Sequence, residues 1–344
     1  MGEELTADTM FGYLERLPEQ FTESLGLDLR WAEEMPRRYN CIVVAGQGGS
    51  AIGGDVLRTY CQSRLPVPVL VNRDYRLPAC VGPDSLVLAV SYSGNTEETL
   101  SAYVDALCRQ AHLVAVTTGG KLAEWAAHDG VPVIEVPPGF MPRAAAGYLF
   151  APAALLLERL RLLAGVSEEI QETARVLQER RATLLPAVPA ERNEARQLAA
   201  RLAGALPIIW GAAGSTEVAA LRWKGQINEN AKSPAYYNVF PELDHNEIVG
   251  FEAPEDLVRR LALVILRDRD DHERVVKRMA ITADVVGRRA ASISEVHSSG
   301  EGLLARLFSL MYVGDYTSTY LALEYGINPT PVQAIDELKA RMAQ

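Results

Sequence analysis

The strand, turn and helix signals at residues 85–107 constrain the fold more than any other stretch of this sequence. Residues 85–90 (SLVLAV) are apolar after the first serine, which is typical of a parallel strand covered on both faces. The hydroxyl-rich turn SYSGNTEETL follows at 91–100, and it leads into a helical pattern. The predicted apolar face of that helix contains Leu100, Val104 and Leu107. This order favours a parallel α/β fold.

The same turn has the composition of a phosphate-binding loop. Ser93, Asn95 or Thr96 can cap the helix, and two glutamates follow in its first turn. The unpaired N–H groups of a helix N-terminus bind anions, and the hydroxyls of Ser91, Ser93 and Thr96 add donors. An ordinary Ser/Thr-rich turn is the alternative interpretation.

A second junction of this kind lies near the N-terminus. Residues 41–45 predict a strand, and the glycine-rich residues 46–51 predict a turn that opens a helix. Their spacing also fits the loose dinucleotide-binding fingerprint, which would favour a nucleotide-dependent oxidoreductase. However, the next predicted strand, 67–71, ends in Asn72 and Arg73 instead of a ribose-binding acid, and the chain has no GK[ST] motif.

The pattern continues and then recurs. Strand and helix signals alternate through residues 113–136, which predicts a doubly wound parallel sheet. Residues 207–215 (PIIWGAAGS) align without a gap on residues 42–50 (IVVAGQGGS). We therefore expect two similar α/β domains, facing one another across a cleft and joined by helices.

The expected domain organisation has three segments. A first domain with a helical lead-in occupies 1–164, a helical connector occupies 165–203, and a second domain with a C-terminal helix occupies 204–344.

Composition excludes several classes of function. The formal net charge of −10 and the absence of a basic run argue against nucleic-acid binding. No apolar stretch is long enough to span a membrane, and the four cysteines form no CxxC motif. Since no secretory signal is evident, we expect a soluble cytoplasmic protein with reduced thiols.

Five motifs together resemble the sugar isomerase (SIS) family, and they are similar to those of its bifunctional phosphoglucose/phosphomannose isomerases. These motifs are GQGGS at 46–50, SYSGNTEET at 91–99, Arg143, NENAK at 228–232 and DHNE at 244–247. Gln47 stands where the family more often has methionine.

The resemblance implies two flavodoxin-like SIS domains, a homodimer, a sugar phosphate substrate, no metal and no organic cofactor. It also implies roles for individual residues. The phosphate would be bound by Gly49, Ser50, Ser91, Ser93 and Thr96. The catalytic groups would be Glu229 as base, Arg143 beside the reacting carbons, and His245 and Lys339 in ring opening. His245 would come from the neighbouring subunit, and Lys339 is assigned mainly by its C-terminal position.

Aldose–ketose isomerisation is consistent with these side chains. This reaction moves a proton between adjacent carbons through an enediol. It therefore needs a base, a group that stabilises the charge on oxygen, and groups that bind the phosphate. Glu229 can be the base, although a helix-end carboxylate is usually only solvated. Arg143 can stabilise the enediolate or be a surface arginine, and His245 can move protons or join a turn network. We interpret Lys232 as helix-end structure.

The resemblance also implies activity on both glucose 6-phosphate and mannose 6-phosphate, since the enediol erases the stereocentre that distinguishes them. The wall that controls this choice is expected at residues 328–333, with Thr330, Val332 or Gln333 facing the sugar. A sugar-phosphate-binding SIS regulatory protein without catalysis is the main alternative. An amidotransferase-type synthase is disfavoured, because Cys41 is the first cysteine.

Overall fold

The structure, a computed structural model, describes residues 6–342. The α-helices are α1 (Ala7–Glu15), α2 (Leu17–Ser24), α3 (Gly48–Cys61), α4 (Glu97–Cys108), α5 (Gly120–Asp129), α6 (Ala146–Arg159), α7 (Val166–Leu184), α8 (Glu194–Leu202), α9 (Glu217–Asn230), α10 (Glu255–Val258), α11 (Glu273–Gly287), α12 (Leu303–Glu324) and α13 (Gln333–Met342). The strands are β1 (Cys41–Ala45), β2 (Val69–Asn72), β3 (Ser85–Val90), β4 (His112–Thr117), β5 (Val133–Glu135), β6 (Leu206–Ala212), β7 (Tyr236–Phe240), β8 (Leu261–Arg267) and β9 (Ser292–His297). Short 3-10 helices cover Arg30–Glu34, Pro142–Ala144, Ala190–Arg192, Glu242–His245 and Glu247–Phe251.

The chain forms two compact units. The first unit contains residues 16–178 and 300–306, and the second contains residues 6–15, 179–299 and 307–342. The expected boundaries 1–164, 165–203 and 204–344 stay a prediction.

The first unit is built on a five-stranded parallel sheet with the order β2-β1-β3-β4-β5. This is the flavodoxin-like order. Every residue of β1 and β3 is buried, which explains why their sequences are apolar without alternation. Val43, Val87 and Leu113 lie side by side across the three central strands and enter one core with Leu100 and Tyr103 of α4.

The second unit is built on a four-stranded parallel sheet with the order β7-β6-β8-β9. This order repeats that of β2-β1-β3-β4, so the sequence echo corresponds to a repeated topology. Trp210, Phe240 and Ile265 form the centre of its core. The two parallel sheets confirm the predicted α/β class.

Two details of the sequence-based assignment were wrong. Val104 is 45% exposed, because the buried face of α4 is centred on Leu100 and Tyr103. The apolar residues 257–266 predict a strand, but residues 257–260 are not part of one, since α10 ends at Val258 and β8 begins only at Leu261.

Candidate functional site

The first sheet has a topological switch point between β1 and β3. The connections that leave these neighbouring strands lead to opposite sides of the sheet, to β2 and to β4. Such a point leaves a crevice outside the carboxyl ends of the strands, where α/β proteins bind ligands. The loops 46–50 and 91–96 follow these two strand ends, so both predicted phosphate-binding stretches flank the crevice.

The loop 91–96 presents hydroxyl groups at the start of α4. Thr96 is the N-cap of α4, which confirms one of the three predicted caps, but its side chain makes no capping hydrogen bond. Its Oγ1 instead lies 2.9 Å from the Oγ of Ser91, which is buried. Ser93 is exposed, and its Oγ accepts a hydrogen bond from the Asn95 N–H. Thr96 therefore does not cap the N–H groups in the first turn of α4. An anion site requires such N–H groups to be without a capping side chain.

The neighbouring loop after β4 holds this turn in place. Gly94 has a φ of +68°, and a Cβ there would lie 1.8 Å from the carbonyl oxygen of Gly119. The Leu122 N–H donates to the Gly94 carbonyl over 2.9 Å, and the Thr118 hydroxyl donates to the Tyr92 carbonyl over 2.7 Å. Only glycine fits at position 94, because of both the positive φ and the close approach of the Gly119 carbonyl.

Residues 46–50, which form the turn after β1 and the first turn of α3, contact the turn that carries Arg143. Gln47 is the N-cap of α3 without a side-chain capping bond, and Ser50 is buried in the first turn. A Cβ on Gly49 would lie 2.5 Å from the Pro142 carbonyl oxygen and 3.3 Å from the Arg143 nitrogen. Arg143 is only 4% exposed, so the surface-arginine interpretation is wrong.

Gln20 fixes the turn around Arg143, and sequence reasoning missed it. This side chain is fully buried; its Nε2 donates to the Ala144 carbonyl over 2.8 Å, and its Oε1 accepts from the Gly147 N–H over 3.0 Å. The only sequence signal was a glutamine on the apolar face of α2, beside Phe21.

Glu229 lies in the last turn of α9, in the second unit. Helix α9 is fixed to α12 by a buried, two-pronged ion pair, in which Arg222 Nε and Nη2 donate to Asp315 over 2.9 and 2.8 Å. Burial raises the pKa of Asp315 and outweighs the opposing effect of Arg222. Next to Glu229, the fully buried Asn230 donates to the Ser318 Oγ over 2.9 Å.

His245 lies beyond the carboxyl end of β7, in the second unit. It ends the 3-10 helix that follows β7, and it is exposed. Its neighbours hold the turn: Asp244 accepts from Arg278 over 3.1 Å, and Glu247 accepts from Trp210 over 2.7 Å. Within residues 6–342, the turn network includes no hydrogen bond from the His245 imidazole.

The path of the chain separates Glu229 from His245. Helix α9 starts at the carboxyl end of β6 and runs back to the amino edge of the sheet, while β7 returns to the carboxyl edge before His245. The 14 residues of α9 span about 20 Å. The structure therefore does not bring these two side chains together within the second unit.

Lys339 lies on α13, where every described residue from Gln333 to Met342 is exposed. The apolar side chains Ile335, Leu338 and Met342 are also exposed there, by 37%, 61% and 63%.

The glycine turn after β6 differs from its counterpart after β1 in its side chains. The Ser215 hydroxyl donates to Asp271 Oδ1 over 3.4 Å, and the Gly214 N–H donates to Glu217 Oε2 over 3.3 Å. Burial raises the pKa of Asp271. Because carboxylates already accept from these donors and repel a second anion, this junction is not suited to bind phosphate.

Residues 6–342 contain neither a group of three or more His, Cys, Asp or Glu side chains placed to hold a metal ion, nor a helix apolar and long enough to cross a bilayer.

Known proteins resemble this chain over nearly its whole length. Residues 191–342 match the bacterial phospho-glucose isomerase C-terminal SIS domain family. A bifunctional phosphoglucose/phosphomannose isomerase from Caldicellulosiruptor bescii is 48% identical over 336 residues, which cover 97% of this chain and 99% of that protein. A protein of the same name from Aquifex aeolicus is 35% identical, over 88% of this chain and 91% of that protein.

A solved structure shares the fold. The crystal structure of tagatose-6-phosphate ketose/aldose isomerase from Escherichia coli superposes with a TM-score of 0.70, over 92% of this chain and 93% of that chain. It is 16% identical, so this likeness concerns the fold alone. With the sequence matches, the chain belongs to the family of bifunctional phosphoglucose/phosphomannose isomerases.

Proposed function

We propose that this protein is an aldose–ketose isomerase that interconverts glucose 6-phosphate and mannose 6-phosphate with fructose 6-phosphate through an enediol. The observation that carries the proposal is the 48% identity, over 97% of the chain, to a protein named for both activities. A regulatory SIS protein without catalysis is not favoured, because the relatives matched over most of the chain are named as enzymes.

The phosphate of the substrate is assigned to the crevice of the first sheet. Its negative charge would meet the uncapped start of α4 and the hydroxyls of Ser91, Ser93 and Thr96. Gly49 and Ser50 belong to the second helix start at this crevice. The pairing of the Ser91 and Thr96 hydroxyls over 2.9 Å supports this role, because both can turn toward one phosphate oxygen.

The proton transfer is assigned to Glu229 as base and to Arg143 as the group that stabilises the enediolate. The burial of Arg143 supports its role, because a guanidinium that is only 4% exposed acts on charge more strongly than a solvated one. His245 and Lys339 are proposed to move protons during ring opening. No step of this proposal uses a metal or an organic cofactor.

We propose that the functional unit is a homodimer in which His245 acts on the substrate bound to the partner. The separation of Glu229 and His245 by the length of α9 supports this, since one second unit does not place both on the same sugar. Val249 and Ile281, which are 62% and 53% exposed, offer apolar surface in the part of the unit that carries His245.

Subunit mixing tests the dimer. A Glu229→Gln chain and a His245→Ala chain are each expected to be inactive, and mixed dimers should contain one site with both defects and one intact site. Recovery of activity after subunit exchange is the expected result. No recovery after verified exchange would assign both residues to the same chain.

The epimer choice is assigned to residues 328–333. Thr330 is fully buried and its hydroxyl donates to the Thr6 carbonyl over 2.6 Å, whereas Gln333 begins α13 and is exposed. A base on one side of the enediol serves both epimers if the intermediate has room to turn about its C2–C3 bond.

A coupled assay tests the function directly. Glucose 6-phosphate and mannose 6-phosphate are supplied separately, and fructose 6-phosphate is followed with and without EDTA. We expect turnover of both, specificity constants of similar size, and no effect of EDTA; turnover of glucose 6-phosphate alone would refute dual activity.

Metabolic sugar phosphates are cytoplasmic, and we propose that location for the protein.

A further inference from the structure

Lys232 occupies an unusual position at the end of α9. The C-cap of α9 is Ala231, and Lys232 follows with a φ of +54°. This left-handed conformation is common one residue after a helix cap, but glycine is the residue that adopts it without steric strain. A lysine adopts this conformation at a steric cost, which a favourable contact of its side chain can offset.

That compensation comes from two backbone carbonyls. The Lys232 ammonium donates to the carbonyl of Glu229 over 2.5 Å and to the carbonyl of Pro329 over 3.1 Å. The first carbonyl belongs to the last turn of α9, where carbonyls have no partner within the helix and a cation is electrostatically favoured. The second belongs to the chain that precedes α13.

The segment at 328–330 is held firmly from its other side. The Thr330 N–H donates to Asn328 Oδ1 over 3.0 Å, and the fully buried Thr330 hydroxyl donates to the Thr6 carbonyl. Lys232 therefore joins two pieces of backbone, each of which is also held by other contacts. One carries Glu229, and the other begins the segment 328–333.

We propose that Lys232 is a positioning residue that fixes the distance between the base Glu229 and the segment that determines epimer choice. This inference rests on the proposed function, because it assigns roles to both parts. If the ammonium is lost, the two pieces move independently, and both the proton transfer and the relative use of the two aldoses should change.

Lys232→Gly is the informative variant. Glycine fits the positive φ, and this relief offsets the loss of the two hydrogen bonds, so the variant should remain folded with a melting temperature close to that of the wild type. We expect kcat to fall about tenfold with both aldoses while KM changes less than about threefold, because the phosphate-binding loops are unaltered. The mannose-to-glucose ratio of kcat/KM should shift by at least about threefold.

Two more substitutions and one control complete the experiment. Lys232→Met keeps the side-chain length without the donors, and it should reproduce the kinetic defect with a lower melting temperature. Lys232→Arg keeps a cation with several donors and should recover much of kcat. Gln110→Gly is the control, since Gln110 also has a positive φ, of 58°, after a helix, and its substitution should leave both kinetic constants unchanged.

The outcomes separate this inference from the proposed function. If the wild type isomerises both aldoses and Lys232→Gly and Lys232→Met match its kcat and its substrate ratio, the inference is overturned. If Lys232→Gly does not fold, the kcat and the substrate ratio of Lys232→Met decide whether the inference holds. If the wild type isomerises neither aldose, it is the proposed function that fails, whatever the variants do.

Discussion

Gly49→Ala should test whether the first glycine loop positions Arg143. A Cβ at position 49 would lie 2.5 Å from the Pro142 carbonyl oxygen, about 0.9 Å closer than ordinary contact at 3.4 Å. Since the backbone fixes the position of the Cβ and the Pro142 carbonyl is itself backbone, no side-chain rotation relieves this contact. Either α3 or the Pro142–Ala144 turn must shift by most of that distance.

The expected kinetic effect follows from this displacement. A shift approaching 1 Å in a group that stabilises the transition state can lower the rate about a hundredfold, so we expect kcat to fall by about 10- to 100-fold. The added Cβ points at Pro142, so the effect on kcat should exceed the effect on KM. Overpacking should also lower the free energy of unfolding by about 1–3 kcal/mol.

Gly53→Ala is the matched control, because it places a Cβ 2.6 Å from the Leu149 carbonyl, one turn further along the same helix. Steady-state kinetics with fructose 6-phosphate and thermal melts should be recorded for both variants. We expect similar losses of stability but a much larger loss of kcat in Gly49→Ala. Equal kcat values in two equally destabilised variants would refute the argument that the 49–142 contact positions Arg143.

Three further predictions concern single side chains. Thr96→Ala removes a hydroxyl proposed to bind the phosphate dianion, so the loss of about 1.5–3 kcal/mol should raise KM about 10- to 100-fold in steady-state assays, and an unchanged KM would clear Thr96 of this role. Glu229→Gln keeps shape but removes the base, so substrate should still bind while exchange of its C1 or C2 proton with solvent stops; exchange at the native rate would assign the base elsewhere. Asp271→Asn should stabilise the fold at neutral pH, because the raised pKa of Asp271 means that its ionisation disfavours the folded state. That penalty is absent below the unfolded pKa of about 3.9 and complete above the folded pKa, so the gain in melting temperature over the wild type should shrink as pH falls from 8 to 4.5, and a gain independent of pH would contradict this cause.

The central architecture was predictable because the strands buried on both faces leave an unambiguous pattern. The apolar runs of β1, β3 and β8 needed no long-range information, and the turn chemistry around Gly94 identified where a helix begins. The edge strands of the second sheet, β7 and β9, were missed. Tyr236 in β7 is 58% exposed, and β9 alternates between buried and exposed residues, so neither gives a continuous apolar run.

What the sequence did not disclose depends on contacts between distant residues. Arg143 has an ordinary local context, and the turn that carries this buried residue is held by the approach of Gly49 and by Gln20, which is 123 residues away in the chain. In the same way, the sequence around Lys232 indicates only the end of a helix, because the contact of Lys232 with Pro329 exists only in the folded second unit.

The two glycine junctions show why a repeated fold need not repeat a function. After β1 and after β6, parallel topology and a glycine turn deliver a helix N-terminus to the carboxyl edge of a sheet, so the backbone of each offers donors to an anion. In the second unit, Glu217 accepts from the Gly214 N–H and Asp271 accepts from Ser215, so protein carboxylates take the position of a ligand. A phosphate there would have to displace a hydrogen-bonded carboxylate and sit beside another, which is electrostatically unfavourable at any pH where both are ionised. The similarity between residues 42–50 and 207–215 is therefore a similarity of backbone geometry, and the chemistry at each junction is decided by residues outside the repeated stretch.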